Sequence, residues 1–286
     1  MNSLKPGLSW VRLSALVFGF AFLYVPILSL VVYSFNKSRL VTVWGGFSTE
    51  WYGKLFANEQ ILQAAWLSLR IAALNATCAT ILGTLAGFSL ARFGRFRGRT
   101  LLVTLTTAPL VMPEVITGLS LLLLFVALEQ AVGWPAGRGM TTITLAHITF
   151  TLSYVTVVVQ SRLASLDVSL EEAAMDLGAR PAKVFALITL PIIAPAVLSG
   201  WLLAFTISLD DLVITSFVAG PGASTLPMVI FSKVRLGVSP DINALATIMV
   251  ALVSIGVLIA GIVMARRTNA TQREMKQGDM QLAFPE

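Results

Sequence analysis

Long apolar runs separated by short polar segments dominate the pattern along the chain. Six runs lie at residues 13–35, 61–91, 101–128, 139–161, 194–219 and 242–265. Each run is long enough for a membrane-spanning helix, which needs about 20 predominantly apolar residues. The pattern therefore predicts an all-α integral membrane fold with six transmembrane helices.

Proline, glycine and acidic residues interrupt some of these runs. Pro109 and the pair Pro113-Glu114 fall inside the third run, and Asp210 and Asp211 fall inside the fifth. Proline can occur in a membrane helix where neighbouring groups satisfy the freed carbonyl. We therefore keep 101–128 and 194–219 as single spans, the second one ended by Gly-Pro-Gly at 220–222 and followed by an external segment.

Composition agrees with a membrane protein. Hydrophobic residues make up 56% and charged residues 12% of the 286 positions, against about 45–50% and about 25% in soluble domains. Six spans leave no room for a separate catalytic domain such as a nucleotide-binding one. The net charge of +6 is better explained by membrane topology than by nucleic-acid binding, because the arginines lie in short loops between apolar runs.

The distribution of basic residues predicts the orientation. If the N-terminus is inside, the inner segments hold more than twice as many lysines and arginines as the outer ones. Cytoplasmic loops carry this excess, so we predict that both termini are cytoplasmic. The first run has no evident cleavage site, which favours an uncleaved anchor. The membrane domain is then predicted to cover 1–265, and 266–286 to form a polar cytoplasmic tail.

The polar stretch between the fourth and fifth runs predicts a short helix. Ser169 and Glu172 have the S-x-x-E spacing of a capping box, and Gly178 suits the end of the helix. One face of this helix is apolar and small, which suits the docking of another protein. That face consists of Leu170, Ala173, Ala174 and Leu177.

A second helix should follow directly. Pro181 suits the first turn of a helix, and Pro191 should end or bend it. Between them the apolar residues that extend this helix are Val184, Phe185, Leu187 and Ile188.

One motif in this region resembles a known family. The spacing E-A-A, three residues, G, nine residues, I-x-L-P is similar to the EAA signature of bacterial ABC import permeases. Its fixed positions are Glu172, Ala173, Ala174, Gly178, Ile188, Leu190 and Pro191. The resemblance implies a coupling helix that fits a cleft of a cytoplasmic ATPase. The alternative is an ordinary amphipathic loop at the membrane interface.

The same resemblance implies a non-catalytic subunit. ATP and Mg²⁺ would be bound by the partner ATPase and no cofactor by this chain, in agreement with the absence of a G-x-x-x-x-G-K-[ST] phosphate-binding motif. Cys78 is the single cysteine, which excludes an internal disulfide and a cysteine metal site.

Charged residues inside the apolar runs indicate a substrate pathway, because they are costly in a bilayer. The acids are Glu114, Asp210 and Asp211, against one base, Arg70. Carboxylates facing a cavity would suit a cationic substrate. The alternatives are that Glu114 pairs with Arg70 and that the aspartates hydrogen-bond neighbouring helices.

Two aromatic side chains also bear on this pathway, whereas the single histidine is assigned no part in it. Trp201 and Phe205 lie one helical turn apart and can offer cation–π contacts. His147 is interpreted as a packed, hydrogen-bonded residue rather than a ligand or a proton relay.

Other stretches resemble polyamine permeases over nearly the whole chain up to about residue 265. They read FLYVPILSLVVYSFN, RFGRFRG, PLVMPEVITGLSLLLLF and SLDDLVITSFVAGPGASTLPM. The resemblance implies import of putrescine or spermidine across a bacterial inner membrane. It also implies a heterodimer with a sister permease, two copies of an ATPase, and a periplasmic polyamine-binding protein.

Two alternatives remain open on the sequence. The same machine could carry ferric iron, a phosphonate or another small solute. A secondary transporter driven by an ion gradient is the other class, but the chain lacks the inverted pair of broken helices that such carriers use.

Overall fold

The computed structural model describes residues 10–40, 43–237, 240–255 and 258. Within these ranges the backbone is helical and forms no β-strand, apart from one isolated bridge between Asn36 and Phe47. The prediction of an all-α fold is therefore confirmed. The helices are α1 (Trp10–Tyr33), α2 (Glu50–Phe56), α3 (Glu59–Arg92), α4 (Arg99–Val111), α5 (Glu114–Val132), α6 (Met140–Ala164), α7 (Ser169–Asp176), α8 (Pro181–Val184), a π-helical segment (Phe185–Thr189), α9 (Leu190–Asp210), α10 (Val213–Val218), α11 (Leu226–Leu236) and α12 (Pro240–Ile255).

Five helices in the described part of the chain are long and apolar enough to cross a membrane. They are α1, α3, α5, α6 and the continuous helix Pro181–Asp210. The apolar helix α12 is shorter, and the remainder of the predicted sixth span lies outside the described residues, as does the predicted tail 266–286. The count of six spans and the orientation of the termini therefore stay predictions.

The third predicted span, 101–128, is wrong as a single helix. Helix α4 ends at Val111 and α5 begins at Glu114. Met112 between them is extended, with φ −74° and ψ 136°. A residue before proline is driven out of the helical region by the proline ring, so Pro113 divides the run.

The fifth predicted span, 194–219, is also wrong in its boundaries. The helix starts earlier, at Pro181, and ends at Asp210, while Asp211 is extended with φ −64° and ψ 125°. The Asp211 side chain accepts the backbone N–H of Thr215 at 2.8 Å. A carboxylate in this position satisfies an otherwise unpaired donor at a helix start, so Asp211 divides α9 from α10, and the two aspartates do not lie within one helix.

The chain divides into two compact units, of which the first contains residues 1–58 and 233–286. In this unit the polar segment after α1 folds around Asn36. Its side-chain amide donates to the Val43 carbonyl oxygen at 2.7 Å and accepts the Gly45 N–H at 2.8 Å. The buried indole of Trp51 donates to the Asn36 carbonyl oxygen at 2.7 Å. These bonds hold Val43, Gly45 and Trp51 against Asn36.

The second unit, residues 59–232, is built on α3, α6 and α9, which pack against one another. Small residues allow this close approach. A Cβ atom added at Gly83 would lie 2.7 Å from Cβ of Val155, and one added at Gly200 would lie 3.2 Å from its Cγ1. Val155 of α6 therefore fills a slot between glycines of α3 and α9.

A buried polar chain links the same three helices. Thr151 of α6 donates its hydroxyl to Asn75 Oδ1 of α3 at 2.9 Å. Asn75 in turn donates through Nδ2 to the Ala204 carbonyl oxygen of α9 at 3.1 Å. Buried polar groups are costly unless they are paired, so these bonds favour one register of the three helices.

Candidate functional site

Helix α7 begins where the sequence predicted, but the predicted capping box is wrong. Val168 occupies the N-cap position, and its side chain makes no capping hydrogen bond. Asp167 performs part of that task, because its Oδ1 accepts the Ser169 N–H at 2.9 Å. Hydrogen bonds from the N–H and the hydroxyl of Ser169 lower the pKa of Asp167 below its usual value.

Gly178 ends α7 as predicted. Its φ of +86° lies in the left-handed region that glycine adopts without strain. The Gly178 N–H bonds to the Met175 carbonyl oxygen at 2.8 Å, and the Ala179 N–H bonds to that of Ala174 at 3.1 Å. This pair of bonds is the Schellman arrangement, which turns the chain sharply after α7.

The predicted apolar face of α7 is exposed. Leu177 is 90% exposed and Leu170 is 48% exposed. Ala173 is also exposed, while Ala174 is half-buried. The motif residue Glu172 lies on the surface as well. The helix therefore presents small and apolar side chains away from its own unit.

The second predicted helix starts at Pro181 and does not end at Pro191. The five-residue π segment stands directly before Leu190 and Pro191, and the helix continues to Asp210. A π-helical turn lengthens the hydrogen-bonded ring by one residue, and the Leu190 N–H bonds to the Phe185 carbonyl oxygen. The wider turn leads into Pro191. Because proline has no N–H that needs a partner, the helix continues through Pro191. Ile188 and Leu190 are half-buried, and Pro191 is exposed.

A buried ion pair joins α7 to the end of α3. Arg92, the last residue of α3, donates through Nε to Glu171 Oε2 at 2.8 Å. The other carboxylate oxygen, Glu171 Oε1, accepts the Thr189 hydroxyl at 2.8 Å. One carboxylate thus connects α7, α3 and the π segment.

A groove of about 340 Å³ lies beside this ion pair. Phe88 of α3 and Phe93 form part of its wall, together with Val168 and Met175 from the α7 region and Phe185 of the π segment. Arg92 also lines the groove, and within the described chain its Nη2 atom is buried without a hydrogen-bond partner.

The predicted pathway acids lie at helix ends. Glu114 is the first residue of α5 and Asp210 is the last residue of α9, and both are exposed. No ion pair joins Glu114 to Arg70 among the described residues. Arg70 instead lies over the ring of Trp66, with 5.4 Å from its Cζ to the ring centroid.

Asp211 differs from Asp210 because it is part of a buried cluster. Its Oδ2 accepts the Thr215 hydroxyl at 2.6 Å and lies 3.2 Å from His147 Nε2. The other ring nitrogen of His147 lies 2.7 Å from Ser208 Oγ. Side-chain exposure is only 2% for His147 and 8% for Asp211. The interpretation of His147 as a packed, hydrogen-bonded residue is confirmed, and Asp211 shares its network.

The two aromatic residues of the predicted pathway come together on α9. The Trp201 and Phe205 rings are stacked, with centroids 5.2 Å apart and planes 14° apart. The Trp201 indole donates to Thr77 Oγ1 of α3 at 3.2 Å. Both side chains are half-buried, so ring surface stays accessible one to three helical turns before Asp210.

Comparison with known proteins identifies the family. The profile of the family described as "Binding-protein-dependent transport system inner membrane component" matches residues 79–270. The chain belongs to this family. Because its members are components of transport systems, the prediction of a non-catalytic transport subunit is confirmed.

Individual relatives agree with the family assignment. The chain is 61% identical to the putrescine transport system permease protein PotI of Escherichia coli K12 over 277 residues, covering 97% of this chain and 99% of PotI. It is 41% identical to the spermidine/putrescine transport system permease protein PotC of the same strain over 257 residues, covering 90% and 95% of the two chains. These matches confirm the resemblance to polyamine permeases.

A solved structure shares the fold. A chain of a bacterial ABC transporter involved in the import of the acidic polysaccharide alginate superposes with a TM-score of 0.68 and 14% sequence identity. The superposition covers 92% of this chain and 98% of the other. At this identity the likeness supports the ABC permease fold alone.

Sequence reasoning missed the three residues that join α7 to the end of α3 and to the π segment. It treated Arg92 only as an inner basic residue, and it assigned no role to Glu171 or Thr189. A usable signal was present in the pair Glu171-Glu172, because adjacent helix residues point about 100° apart. The two carboxylates therefore cannot both point in one direction, and one of them was a candidate for a buried contact with a partner.

Proposed function

We propose that this chain is the permease subunit of an ATP-driven importer of polyamines, with putrescine as the preferred substrate and spermidine as the second candidate. The observation that carries the proposal is the 61% identity to PotI over 97% of the chain. A relationship this extensive includes both the α7 region and the acids at the helix ends. The subunit would form half of the translocation pathway in a bacterial inner membrane.

The proposed complex contains three other kinds of subunit. A sister permease would form the second half of the pathway, two copies of a cytoplasmic ATPase would bind ATP and Mg²⁺, and a periplasmic binding protein would deliver the polyamine. The family description, with its reference to binding-protein-dependent transport, supports this arrangement.

We propose that α7 is the coupling helix that docks onto the ATPase. The exposed apolar side chains of Leu170 and Leu177 support this role. A surface of this kind is typical of a protein contact when polar residues surround it. The proposed coupling residues are Glu172, Ala173, Ala174, Gly178, Ile188, Leu190 and Pro191.

For the substrate path, the surroundings of the acids favour Glu114 and Asp210 over Asp211. Exposed carboxylates at the ends of α5 and α9 can replace water around an ammonium group. The stacked rings of Trp201 and Phe205 offer π faces on the same helix as Asp210. Asp211 uses its oxygens within the His147 cluster, so its proposed contribution is to position the start of α10 beside the path.

ATP hydrolysis by the whole complex in lipid tests this function. The chain is reconstituted with its sister permease, ATPase and binding protein, and hydrolysis is measured with no substrate, putrescine, spermidine or an uncharged diol of the same length. We expect stimulation by the diamine and none by the diol, since the diol lacks the charges that the acids recognise.

Each result has a distinct meaning. Stimulation by spermidine above putrescine would reverse the order of substrates. ATPase binding without stimulation by either polyamine would support an importer of another solute and contradict the proposed cargo. A complex that contains no ATPase would contradict the entire proposal.

A further inference from the structure

The ion pair between Arg92 and Glu171 connects parts of the chain that are far apart in sequence. Arg92 closes the 34-residue helix α3, and Glu171 lies in the first turn of α7. Thr189 adds the π segment, which continues directly into α9. We use the name Arg92 clamp for these three residues. It ties the exposed helix α7 to two of the long apolar helices.

The environment of the clamp makes it stronger than an ordinary surface ion pair. The two side chains are 11% and 9% exposed, so water and salt screen them little. An exposed pair such as Lys54–Glu50, with side chains about half exposed, contributes little to holding a structure. Both carboxylate oxygens of Glu171 accept charge-assisted or hydroxyl hydrogen bonds, which fixes the side chain in one geometry.

The groove beside the clamp shows that α7 is not fixed by apolar packing alone. The groove has a volume of about 340 Å³, and its wall contains Phe88 and Phe93 near the end of α3 together with Val168 and Met175 from the α7 region. The elements that α7 packs against are α8 and the π segment. Among the described residues, the Arg92–Glu171 ion pair is a direct polar link between α7 and the end of α3.

We propose that Arg92, Glu171 and Thr189 are positioning residues that make α7 move together with α3 and α9 when the ATPase changes conformation. The inference rests on the proposed function, in which α7 docks onto the ATPase. A rigid link transmits displacement, whereas a loosened α7 can follow the ATPase while the spans stay in place. The clamp therefore affects how hydrolysis and transport are coupled, without contacting nucleotide or polyamine.

The test uses the complete complex in lipid, with Glu171→Ala and Glu50→Ala compared with the unchanged chain. The control removes an exposed carboxylate from a surface ion pair and should change nothing. For Glu171→Ala we expect retained basal ATP hydrolysis and a loss of about tenfold in stimulation by the putrescine-loaded binding protein, within the range of typical coupling effects. Putrescine transported per ATP should fall in parallel.

A double variant covers the case in which Glu171→Ala fails to assemble. The double change Arg92→Cys with Glu171→Cys is made in a Cys78→Ser background, and the two thiols are joined by a short bifunctional thiol reagent that can be cleaved by reductant. We expect weak stimulation before cross-linking, recovery after cross-linking, and loss again after cleavage. A purely structural role would change the amount of assembled complex and would not follow the linker.

Three outcomes would overturn the clamp. They are full stimulation in assembled Glu171→Ala, stimulation that is indifferent to the linker, and failure of the cysteine pair to assemble, since the last result would assign the ion pair to folding. In all three cases the unchanged chain is still stimulated by loaded binding protein. If the unchanged chain is not stimulated, it is the proposed function that fails.

Discussion

Asp210 and Asp211 are neighbours in sequence with different surroundings. Asp210 is exposed at the end of α9. Asp211 is nearly enclosed by His147 and Thr215, and it accepts hydrogen bonds from the start of α10. The first residue can meet a ligand, whereas the second holds the break between two helices. Their substitutions should therefore have different effects.

We predict that Asp210→Asn and Glu114→Gln reduce polyamine uptake while the complex still assembles. Loss of a contact worth about 1.4 kcal/mol corresponds to a tenfold change in affinity, so the concentration for half-maximal uptake should rise by about that factor. Radiolabelled putrescine uptake into proteoliposomes measures it. Unchanged uptake in both variants would remove these acids from the path.

Asp211→Asn serves as the contrasting variant. It places an amide where the Thr215 N–H and hydroxyl now meet a carboxylate. We expect a stability loss of about 1–3 kcal/mol, as for other buried groups that lose a partner. The thermal midpoint of the detergent-purified complex measures this loss. A normal midpoint with abolished uptake would instead indicate direct contact with substrate.

Gly178 combines a conformational requirement with a position on the proposed docking surface. A Cβ atom there would meet nothing within 4 Å, but the φ of +86° remains unfavourable for most residues. Asparagine tolerates the left-handed region better than most, so Gly178→Asn should cost less than about 1 kcal/mol. Aspartate has nearly the same shape as asparagine, so Gly178→Asp differs from Gly178→Asn mainly by its negative charge.

We predict that Gly178→Asp reduces ATPase binding or stimulation and that Gly178→Asn retains most of both. Copurification of the ATPase and its stimulated hydrolysis are the two measurements. Equal losses in both variants would assign the effect to the backbone. Equal and normal activity would show that this end of α7 does not face the ATPase.

At the scale of helices, the close contact between α3 and α6 depends on Gly83, which has no side chain. A Cβ atom at Gly83 would lie 2.7 Å from Val155 Cβ and 3.0 Å from the Leu152 carbonyl oxygen. Both distances are shorter than a normal van der Waals contact between two carbon atoms or between a carbon and an oxygen. Either α3 or α6 must shift to accept even alanine.

We predict that Gly83→Ala destabilises the protein by about 1–3 kcal/mol, the usual cost of overpacking. Gly19→Ala is the matched control, because Gly19 also lies within an apolar helix and a Cβ there would meet nothing within 4 Å. The thermal midpoint in detergent compares the two variants. Adding Val155→Ala to Gly83→Ala should restore part of the loss. No rescue would mean that the destabilisation has another origin.

At the scale of the whole molecule, membrane topology is the prediction that the described helices leave open. Five of them are long enough to span, and the sixth predicted span extends beyond the described residues. Basic residues predict that the segment around Gly137 is outside and that α7 is inside. On this prediction, a reagent reaches the two segments from opposite sides of the membrane.

Thiol labelling measures this directly. In a Cys78→Ser background, which removes the single cysteine, Gly137→Cys should react in intact spheroplasts with a reagent that cannot cross the membrane. Leu177→Cys, at a residue that is 90% exposed, should react only after permeabilisation. Labelling of Leu177→Cys from outside would invert the orientation and exclude α7 from docking onto a cytoplasmic ATPase.

Much of the fold could be predicted because membrane helices follow directly from apolar length. The starts of α6 and α7 and the turn at Gly178 agree with the sequence pattern to within a residue. The spans around Pro113 and Asp211 were wrong, because hydropathy does not register where a helix breaks inside an apolar run. At these two places a proline ring and a capping carboxylate determine where the helix ends.

The sequence alone determined the helical class, the family resemblance and the exposed apolar face of α7, since each depends on residues close together along the chain. Only the tertiary structure decided that Glu171 meets Arg92 and Thr189. It also decided that Asp211 is buried beside His147 while Asp210 is exposed. These contacts join residues that are 79, 18 and 64 positions apart. Local periodicity contains no information about such pairs, because the packing of whole helices determines which buried polar groups meet.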